Sequence, residues 1–376
     1  MTTPGNNIMR VCWARPDIGA EDFFALRESF ESNWISQGPK VVEFESQIAS
    51  LSRREYCVAV NSGTSALLAL MTALNVPLGA EVVIPAMSFI AVPYAVSAVG
   101  ATPVLADVDG EAGTITHETV LPCISARTSV VIGIDYSGFA NDWERVASLC
   151  RERGVAFVVD SASSFLATRD GRPAGSYGDA AVFSFHAAKP FTTGEGGAVV
   201  TDDRGLASRL ERVRNYGEAL DRKYLYELPG GNYRMTDLAA SVGLSQLRRA
   251  DGILERRRRV VDEYLRHATA GGLALRSYRD DGAKTSGFTF TILCEQRDRV
   301  ALGLAARGIE TRSMWPLCVD EQPVYGGLPC KVVGEITQAR SFSRRCLSLP
   351  VHSGVGEAEI SYIVETLGEL LSTPTC

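Results

Sequence analysis

The chain has 376 residues, which is enough to bury a large core and long for a single domain, so two domains are expected. Hydrophobic residues make up 45% of the chain and charged residues 22%, the proportions of a soluble globular protein. The formal net charge of −6 excludes a general attraction to nucleic acid or to an acidic membrane surface, and we expect neither partner.

The cysteines and histidines indicate a reducing environment and no metal site. Nine cysteines are scattered without a C-x-x-C pair and no secretory pattern opens the chain, so the cytoplasm is the expected location. The four histidines are too dispersed to predict a metal site, and no apolar run has the length of a membrane span.

The first two predicted elements are amphipathic helices over residues 19–30 and 41–51, separated by a turn. From Tyr56 onward, apolar runs alternate with helical patterns. The apolar runs predict buried strands at 56–60, 81–85, 103–108, 129–134 and 156–160. The patterns between them predict helices at 65–74, 91–99, 117–124 and 143–153. This alternation requires right-handed crossovers and predicts a mostly parallel sheet covered by helices on both faces.

The rest of the chain predicts a second, smaller unit. Helical patterns lie at 204–216 and at 235–267, and the second of these is interrupted near Gly252. Beyond them the sequence predicts a strand at 287–294 and helices at 299–307 and 357–371. We assign residues 1–250, with the N-terminal helices, to a large domain and residues 251–376 to a smaller C-terminal α+β domain. The Gly271-Gly272 pair is the best boundary signal between them.

One lysine, Lys189, lies between two apolar runs in a stretch of small residues and glycines, 182–201. The whole chain has only five lysines, and this one has a mostly uncharged setting. Desolvation in such a setting would lower the pKa of the amine and make it nucleophilic. On this stretch alone, a loop lysine that extends into solvent explains the pattern equally well.

Other candidates fall where predicted strands end, which is where open parallel sheets bind ligands. Residues 61–65 form either a phosphate cradle at a helix N-terminus or an ordinary N-cap. Asp160 is an acid that needs a partner such as a protonated pyridine nitrogen. Phe89 could cover a flat ring or simply be core, and Ser184 could add a hydroxyl to the phosphate. Together with a Schiff-base lysine, these are the requirements for holding pyridoxal 5′-phosphate.

With these residues in view, nearly the whole chain resembles the DegT/DnrJ/EryC1/StrS family, sugar aminotransferases of aspartate-aminotransferase fold type I. The motifs that carry the resemblance include Gln37-Gly-Pro39, Asn61-Ser-Gly-Thr64, Asp160-Ser-Ala162, Ser184-Phe-His-Ala-Ala-Lys189, Thr193-Gly-Glu-Gly-Gly197 and Asn232-Tyr-Arg-Met235. The resemblance implies a large domain with a mostly parallel seven-stranded sheet flanked by helices. It also implies a smaller C-terminal α+β domain and a homodimer whose active sites lie at the subunit interface.

The resemblance implies two catalytic residues. Lys189 would hold the cofactor as an internal aldimine and then move the proton between substrate and cofactor. Asp160 would pair with the pyridinium nitrogen and keep the ring an electron sink. Phe89 would stack on that ring.

The same resemblance implies the residues that bind the phosphate. Gly63, Thr64 and Ser184 would bind it from within the subunit, and Asn232 would reach it from the partner subunit. No metal is implied.

Three positions depart from the family pattern. Ser163 stands where a glutamine is expected near the phenolic oxygen of the cofactor, so we count it as a cofactor-binding position with a shorter reach. Asp135 replaces a usual histidine, and Cys318 stands where a histidine often contributes to the sugar pocket. These departures leave the cofactor expectation intact but put the substrate in doubt.

The expected activity is transfer of an amino group from L-glutamate or L-glutamine to a keto sugar by a ping-pong mechanism. A nucleotide-linked 3- or 4-keto-6-deoxyhexose, as used in O-antigen or antibiotic biosynthesis, is the leading acceptor. Some relatives carry histidine in place of Lys189 and deoxygenate sugars, so the lysine favours transamination. A keto-cyclitol or other carbocyclic ketone is the alternative acceptor, and a non-catalytic regulatory role is a third hypothesis.

Overall fold

The computed structural model describes residues 9–270 and 282–372, without the side chains of residues 268–270. The Gly271-Gly272 pair that the sequence suggested as a boundary lies outside the described residues. None of the helices in these two ranges combines the length and the apolar character needed to cross a membrane.

The helices follow the predicted pattern closely through the first part of the chain. In chain order, the α-helices of the described residues are α1 (Ala20–Glu31), α2 (Pro39–Ser52), α3 (Gly63–Ala73), α4 (Ala91–Ala98), α5 (His117–Val120), α6 (Glu144–Arg153), α7 (Arg204–Arg214), α8 (Asp237–Arg248), α9 (Ala250–Ala270), α10 (Arg297–Ala306), α11 (Thr337–Arg345) and α12 (Glu357–Ser372).

The strands form one large sheet and two small ones. In chain order, they are β1 (Tyr56–Val60), β2 (Glu81–Pro85), β3 (Thr102–Ala106), β4 (Thr128–Ile134), β5 (Ala156–Asp160), β6 (Thr168–Arg169), β7 (Arg172–Pro173), β8 (Ala180–Ser184), β9 (Gly197–Thr201), β10 (Ala283–Lys284), β11 (Phe290–Leu293), β12 (Lys331–Val332) and β13 (Cys346–Leu349). The large sheet has the order β1-β9-β8-β5-β4-β2-β3-β12, the second is β10-β6-β7, and the third is β11-β13.

The large sheet is mostly parallel, as predicted, and β9 is its antiparallel strand. It has eight strands where seven were expected. The additional strand is β12, two residues long, which pairs in parallel with β3 at the edge of the sheet. A two-residue strand carries no periodicity, so the sequence could not indicate it.

Helices cover both faces of this sheet because its strands are apolar on both sides. In β5, Val158 packs with residues of α3 and α4 in one core. Its neighbours Phe157 and Val159 point to the opposite face and pack with α2 and α6 in a second core. Successive strand residues alternate between the faces, which explains why the strand sequences are continuous apolar runs.

The predicted interruption of the long helical pattern near Gly252 is confirmed, although Gly252 is not the residue at the break. The chain breaks at Arg249, between α8 and α9, and Gly252 lies inside α9. The guanidinium of Arg249 forms ion pairs with Asp17 (3.1 Å) and Asp22 (2.6 Å) of the N-terminal segment. These contacts hold the turn, whereas a single glycine is tolerated within a helix.

The C-terminal part is α+β, as expected. The antiparallel pair β11-β13 packs with α9, α10 and α12 in a third core, which also includes Val11 from the N-terminal segment. Val11 reaches this core through a parallel bridge to Ile309. The placement of a domain boundary at residue 250 remains a prediction.

A buried ion pair joins three elements next to the first strand. The Glu45 carboxylate of α2 accepts hydrogen bonds from the Ala59 amide of β1 (2.8 Å) and from the Arg214 guanidinium of α7. Arg214 also donates to the Ala59 carbonyl (2.9 Å). The two side chains are only 17% and 7% exposed, so each charge depends on the other for compensation.

We predict that Glu45→Ala lowers the free energy of unfolding by about 3 kcal/mol, because it leaves the Arg214 charge buried and unpaired. Urea unfolding followed by circular dichroism measures this loss. The matched control is Glu295→Ala, which removes an exposed partner of Arg345 and should leave the midpoint unchanged. Equal effects of the two substitutions would contradict the prediction.

Candidate active site

A cavity of about 360 Å³ opens at the carboxyl ends of the parallel strands. It brings together most of the residues that the sequence singled out. The predicted site residues that line it are Gly63, Thr64, Phe89, Asp160, Ser163, Ser184 and Lys189. These positions are up to 126 residues apart in the sequence (189 − 63), and the sheet topology makes them neighbours.

Lys189 follows β8 and projects its amine into this cavity. Its Nζ atom lies 4.2 Å from the centroid of the Phe288 ring. Burial lowers the pKa of the amine to about 8, and the negative charge of Asp160 acts in the opposite direction. Near that pH the amine is divided between its protonated and neutral forms, which is the state that a nucleophile and proton carrier requires.

Asp160 ends β5 and is 6% exposed. Its carboxylate accepts a hydrogen bond from the Ala162 amide (3.0 Å), and no other donor in the described ranges reaches it. Burial raises the pKa of this carboxyl, while the Ala162 hydrogen bond and the charge of Lys189 lower it. A cationic ring nitrogen in the cavity would supply the compensation that this buried acid lacks.

The start of α3 faces the same cavity. Ser62 is the N-cap, and its hydroxyl accepts a hydrogen bond from the Ser65 amide (3.0 Å). The amides of Gly63 and Thr64, in the first turn, have no acceptor within the described residues. Free amides at the positive end of a helix form a site for a phosphate group.

Two glycines allow this helix start to approach the strands. A Cβ atom on Gly63 would lie 2.9 Å from the Cβ of Ser184, and one on Gly197 would lie 2.5 Å from the Ser62 carbonyl. Any side chain at Gly197 would therefore push β9 away from the first turn of α3. This explains the glycine-rich stretch after Lys189 as close backbone packing behind the candidate phosphate site, as the sequence suggested.

Aromatic side chains form the walls of the cavity. Phe89, predicted from the sequence, is 53% exposed at one side. Tyr136, Phe288 and Trp315 were not predicted, and they come from segments far apart in the chain. Trp315 has a left-handed backbone conformation (φ 54°) and contacts Tyr136 edge to face at 5.1 Å. Strained backbone of this kind concentrates at functional sites.

Asn232 is the predicted site residue that does not line the cavity. Its backbone carbonyl accepts a hydrogen bond from the Asn61 side chain (3.1 Å), close to the start of α3. The sequence assigned Asn232 to the phosphate bound by a partner subunit, and that assignment remains a prediction.

Ser163 lines the cavity, but its hydroxyl is hydrogen-bonded to the protein backbone. The hydroxyl donates a hydrogen bond to the backbone carbonyl of Asp135 (2.9 Å), so it is not aimed at a ligand. A glutamine at this position would be longer by two carbon atoms and could extend into the cavity.

The other two departures from the family pattern, Asp135 and Cys318, are not among the described residues that line the cavity. The Asp135 carboxylate is buried and accepts hydrogen bonds from Ser161 (2.7 Å) and Trp143 (2.9 Å). Burial raises its pKa to about 6 in spite of these bonds. Cys318 is fully buried, with its sulfur 3.8 Å from the hydroxyl of Ser343. Cys318 therefore does not border this cavity, and its effect on the sugar pocket stays a prediction.

The site can hold and activate a planar, phosphorylated aldehyde. Lys189 supplies the amine, Asp160 a buried and only partly compensated carboxylate, α3 the candidate phosphate site and Phe89 a ring face. These features fit pyridoxal 5′-phosphate, and with the α/β fold they match the class of enzymes that use this cofactor.

Comparison with known proteins agrees with this class. The DegT/DnrJ/EryC1/StrS aminotransferase family matches residues 16–368, and the chain belongs to that family. This confirms the resemblance found in the motifs.

Three related proteins show what the chain is similar to. It is 31% identical to GDP-perosamine synthase of Caulobacter vibrioides, with 97% of this chain and 100% of that protein covered. It is 32% identical to dTDP-3-amino-3,4,6-trideoxy-alpha-D-glucose transaminase of Streptomyces venezuelae, with 95% and 93% covered. The solved PLP-form of the putative sugar aminotransferase Spr1654 from Streptococcus pneumoniae superposes with a TM-score of 0.88 at 26% identity, covering 96% and 98%.

We predict that Asp160→Asn lowers the pKa of the Lys189 amine below about 8, by roughly one unit. The substitution removes the negative charge that favours the ammonium form and leaves the burial of the amine in place. Trace acylation of the cofactor-free protein at a series of pH values, read by mass spectrometry of each lysine, measures this pKa. Glu295→Gln is the control for loss of one negative charge, and an equal shift there would contradict the assignment.

Proposed function

We propose that the protein is a pyridoxal-phosphate-dependent aminotransferase that transfers the amino group of L-glutamate or L-glutamine to a nucleotide-linked keto sugar. The observation that carries the proposal is the meeting of Lys189 and Asp160 in one cavity beside the free amides of α3. The acceptor is inferred from the related proteins, whose names specify GDP-linked and dTDP-linked amino sugars. A 3- or 4-keto-6-deoxyhexose remains the leading acceptor.

Each residue of the site has a defined part in this proposal. Bound in the cavity, the cofactor would supply an electron sink for the reacting carbon of the substrate. Lys189 would hold the cofactor and carry a proton on Nζ, which a pKa near 8 permits. Asp160 would keep the ring nitrogen protonated, and Phe89 would cover one ring face. Gly63, with Thr64 and Ser184, would bind the phosphate at the positive end of α3.

The carbocyclic alternative has less support than the sequence suggested. It was motivated by departures at Asp135, Ser163 and Cys318, and of these only Ser163 borders the cavity in the described part of the chain. Two of the three positions therefore have no direct route to the acceptor within this subunit. The keto sugar remains the preferred acceptor for that reason.

The proposal includes a homodimer with a shared active site. Apolar side chains are exposed along α1, α2 and the turn between them, among them Phe23, Phe30, Trp34, Ile35 and Val42. A second groove of about 600 Å³ lies between α1, α8 and the loop that follows Lys189. Glu195 borders both this groove and the active cavity. A second copy covering the groove would thus extend to the edge of the active site.

We expect Lys189→Ala to lower the rate of transamination by at least about 10³-fold, because it removes both the cofactor attachment and the proton carrier. The assay offers glutamate or glutamine with keto sugar nucleotides or keto-inositols, and follows visible absorbance and product mass. Lys284→Ala, an exposed lysine on β10, is the matched control and should retain full activity. Retained transamination by the Lys189 variant, or a wild-type protein without cofactor absorbance, would end the proposal.

We expect Phe23→Asp to convert the dimer to a monomer and to reduce activity in proportion. A charge in the exposed apolar surface of α1 should oppose association, and sedimentation velocity measures the change in mass. Leu302→Asp on α10 is the control, since Leu302 is at least as exposed but lies on the C-terminal part. A fully active monomer would show that the site is not shared.

A further inference from the structure

Among the described residues, the Lys189 amine takes part in no hydrogen bond and in no ion pair. The contact that it makes is with an aromatic face, since Nζ lies 4.2 Å from the centroid of the Phe288 ring. Phe288 is 5% exposed and lines the same cavity. A cation at this distance from a ring centroid is within the range of a favourable cation–π interaction.

We propose that Phe288 is a positioning residue for Lys189, and that its ring face holds the ammonium form of the amine without accepting its proton. The inference rests on the proposed function, because it assumes that Lys189 acts alternately as amine and ammonium. The ring therefore sets the position of the Lys189 amine when the amine is not attached to the cofactor.

Several contacts hold the Phe288 ring and the backbone that precedes it. Trp13 of the N-terminal segment contacts it edge to face, with ring centroids 5.8 Å apart. The preceding residue, Gly287, has a left-handed backbone (φ 69°), and its carbonyl accepts a hydrogen bond from the buried Arg257 guanidinium (3.0 Å). The Ser286 hydroxyl donates to the Ser163 carbonyl (2.8 Å) in the loop after Asp160. A side chain held in this way is rigid enough to orient another group.

The chemical type of the partner matters. A carboxylate in contact with the amine would keep it protonated. An aliphatic side chain would leave burial opposed only by the charge of Asp160 and would favour the neutral form. An aromatic face lies between these limits, because it attracts the cation but cannot bind the proton. Asp160 is not free for this role if it pairs with the cofactor ring nitrogen.

The test measures the pKa of Lys189 in the cofactor-free, full-length protein by trace acylation and mass spectrometry, so it requires no turnover. The wild-type value is the reference for each variant. Phe288→Leu should lower it by about half a unit to one unit, since the ring is removed and burial is kept. Phe288→Tyr retains the ring face and should restore the wild-type value.

The matched control is Phe290→Leu. Phe290 is also buried, but its ring stacks on Tyr264 at 5.0 Å in the C-terminal core and does not line the cavity. It should lose stability without changing the pKa of Lys189. A folded Phe288→Leu protein with an unchanged pKa, or an equal shift in Phe290→Leu, would overturn the inference.

Incorporation of fluorinated phenylalanines at position 288 covers the case in which Phe288→Leu does not fold. Added fluorine atoms weaken the negative ring face and nearly preserve its shape, so the pKa of Lys189 should fall step by step with fluorination. A pKa of Lys189 that does not change with fluorination would overturn the inference. Acylation of Lys189 does not depend on the transamination reaction, so the two proposals can fail separately. If transamination fails but the pKa of Lys189 falls with fluorination, the proposed function is refuted and the Phe288 contact is established.

Discussion

The burial of one amine at the end of a parallel sheet is the constraint on which the candidate site depends. Removing the Lys189 amine from water lowers its pKa to about 8, and only partial compensation is available from Asp160. A fully compensated amine would stay protonated and could not act as a nucleophile, whereas an uncompensated one could not hold a proton. The surroundings of Lys189 therefore have to keep both forms accessible.

Close backbone packing makes that arrangement possible. Gly63 and Gly197 leave no space for side chains between the first turn of α3 and strands β8 and β9. The helix start, with its free amides, is thereby brought to the same edge of the sheet as Lys189 and Asp160. The candidate anion site and the candidate nucleophile can share one cavity because no side chain separates the start of α3 from the strands behind it.

The sequence was sufficient to predict the elements whose residues follow a local apolar pattern. The strands Tyr56–Val60, Glu81–Pro85 and Ala156–Asp160 have the predicted bounds, because strands buried on both faces read as continuous apolar runs. The neighbours of Lys189 and of residues 61–65 in the chain were enough to place both at this edge of the sheet, and the role of residues 61–65 as a phosphate cradle stays a prediction. Phe288, Tyr136 and Trp315 were not predicted, since their place in the cavity arises from long-range packing that no local spacing records.

The residues that line the cavity come from two kinds of segment: the ends of the large sheet, and loops of the C-terminal part. The sheet ends supply Asp160, Ser184 and the start of α3, which are tied to the core by strand registers and tight glycine contacts. The opposite wall, with Phe288 and Trp315, comes from segments outside regular elements in the C-terminal part. Under the proposed function, substitutions there would alter the space for an acceptor without disturbing the sheet. Cofactor binding and acceptor preference could then change separately, although Phe288 also contacts the Lys189 amine.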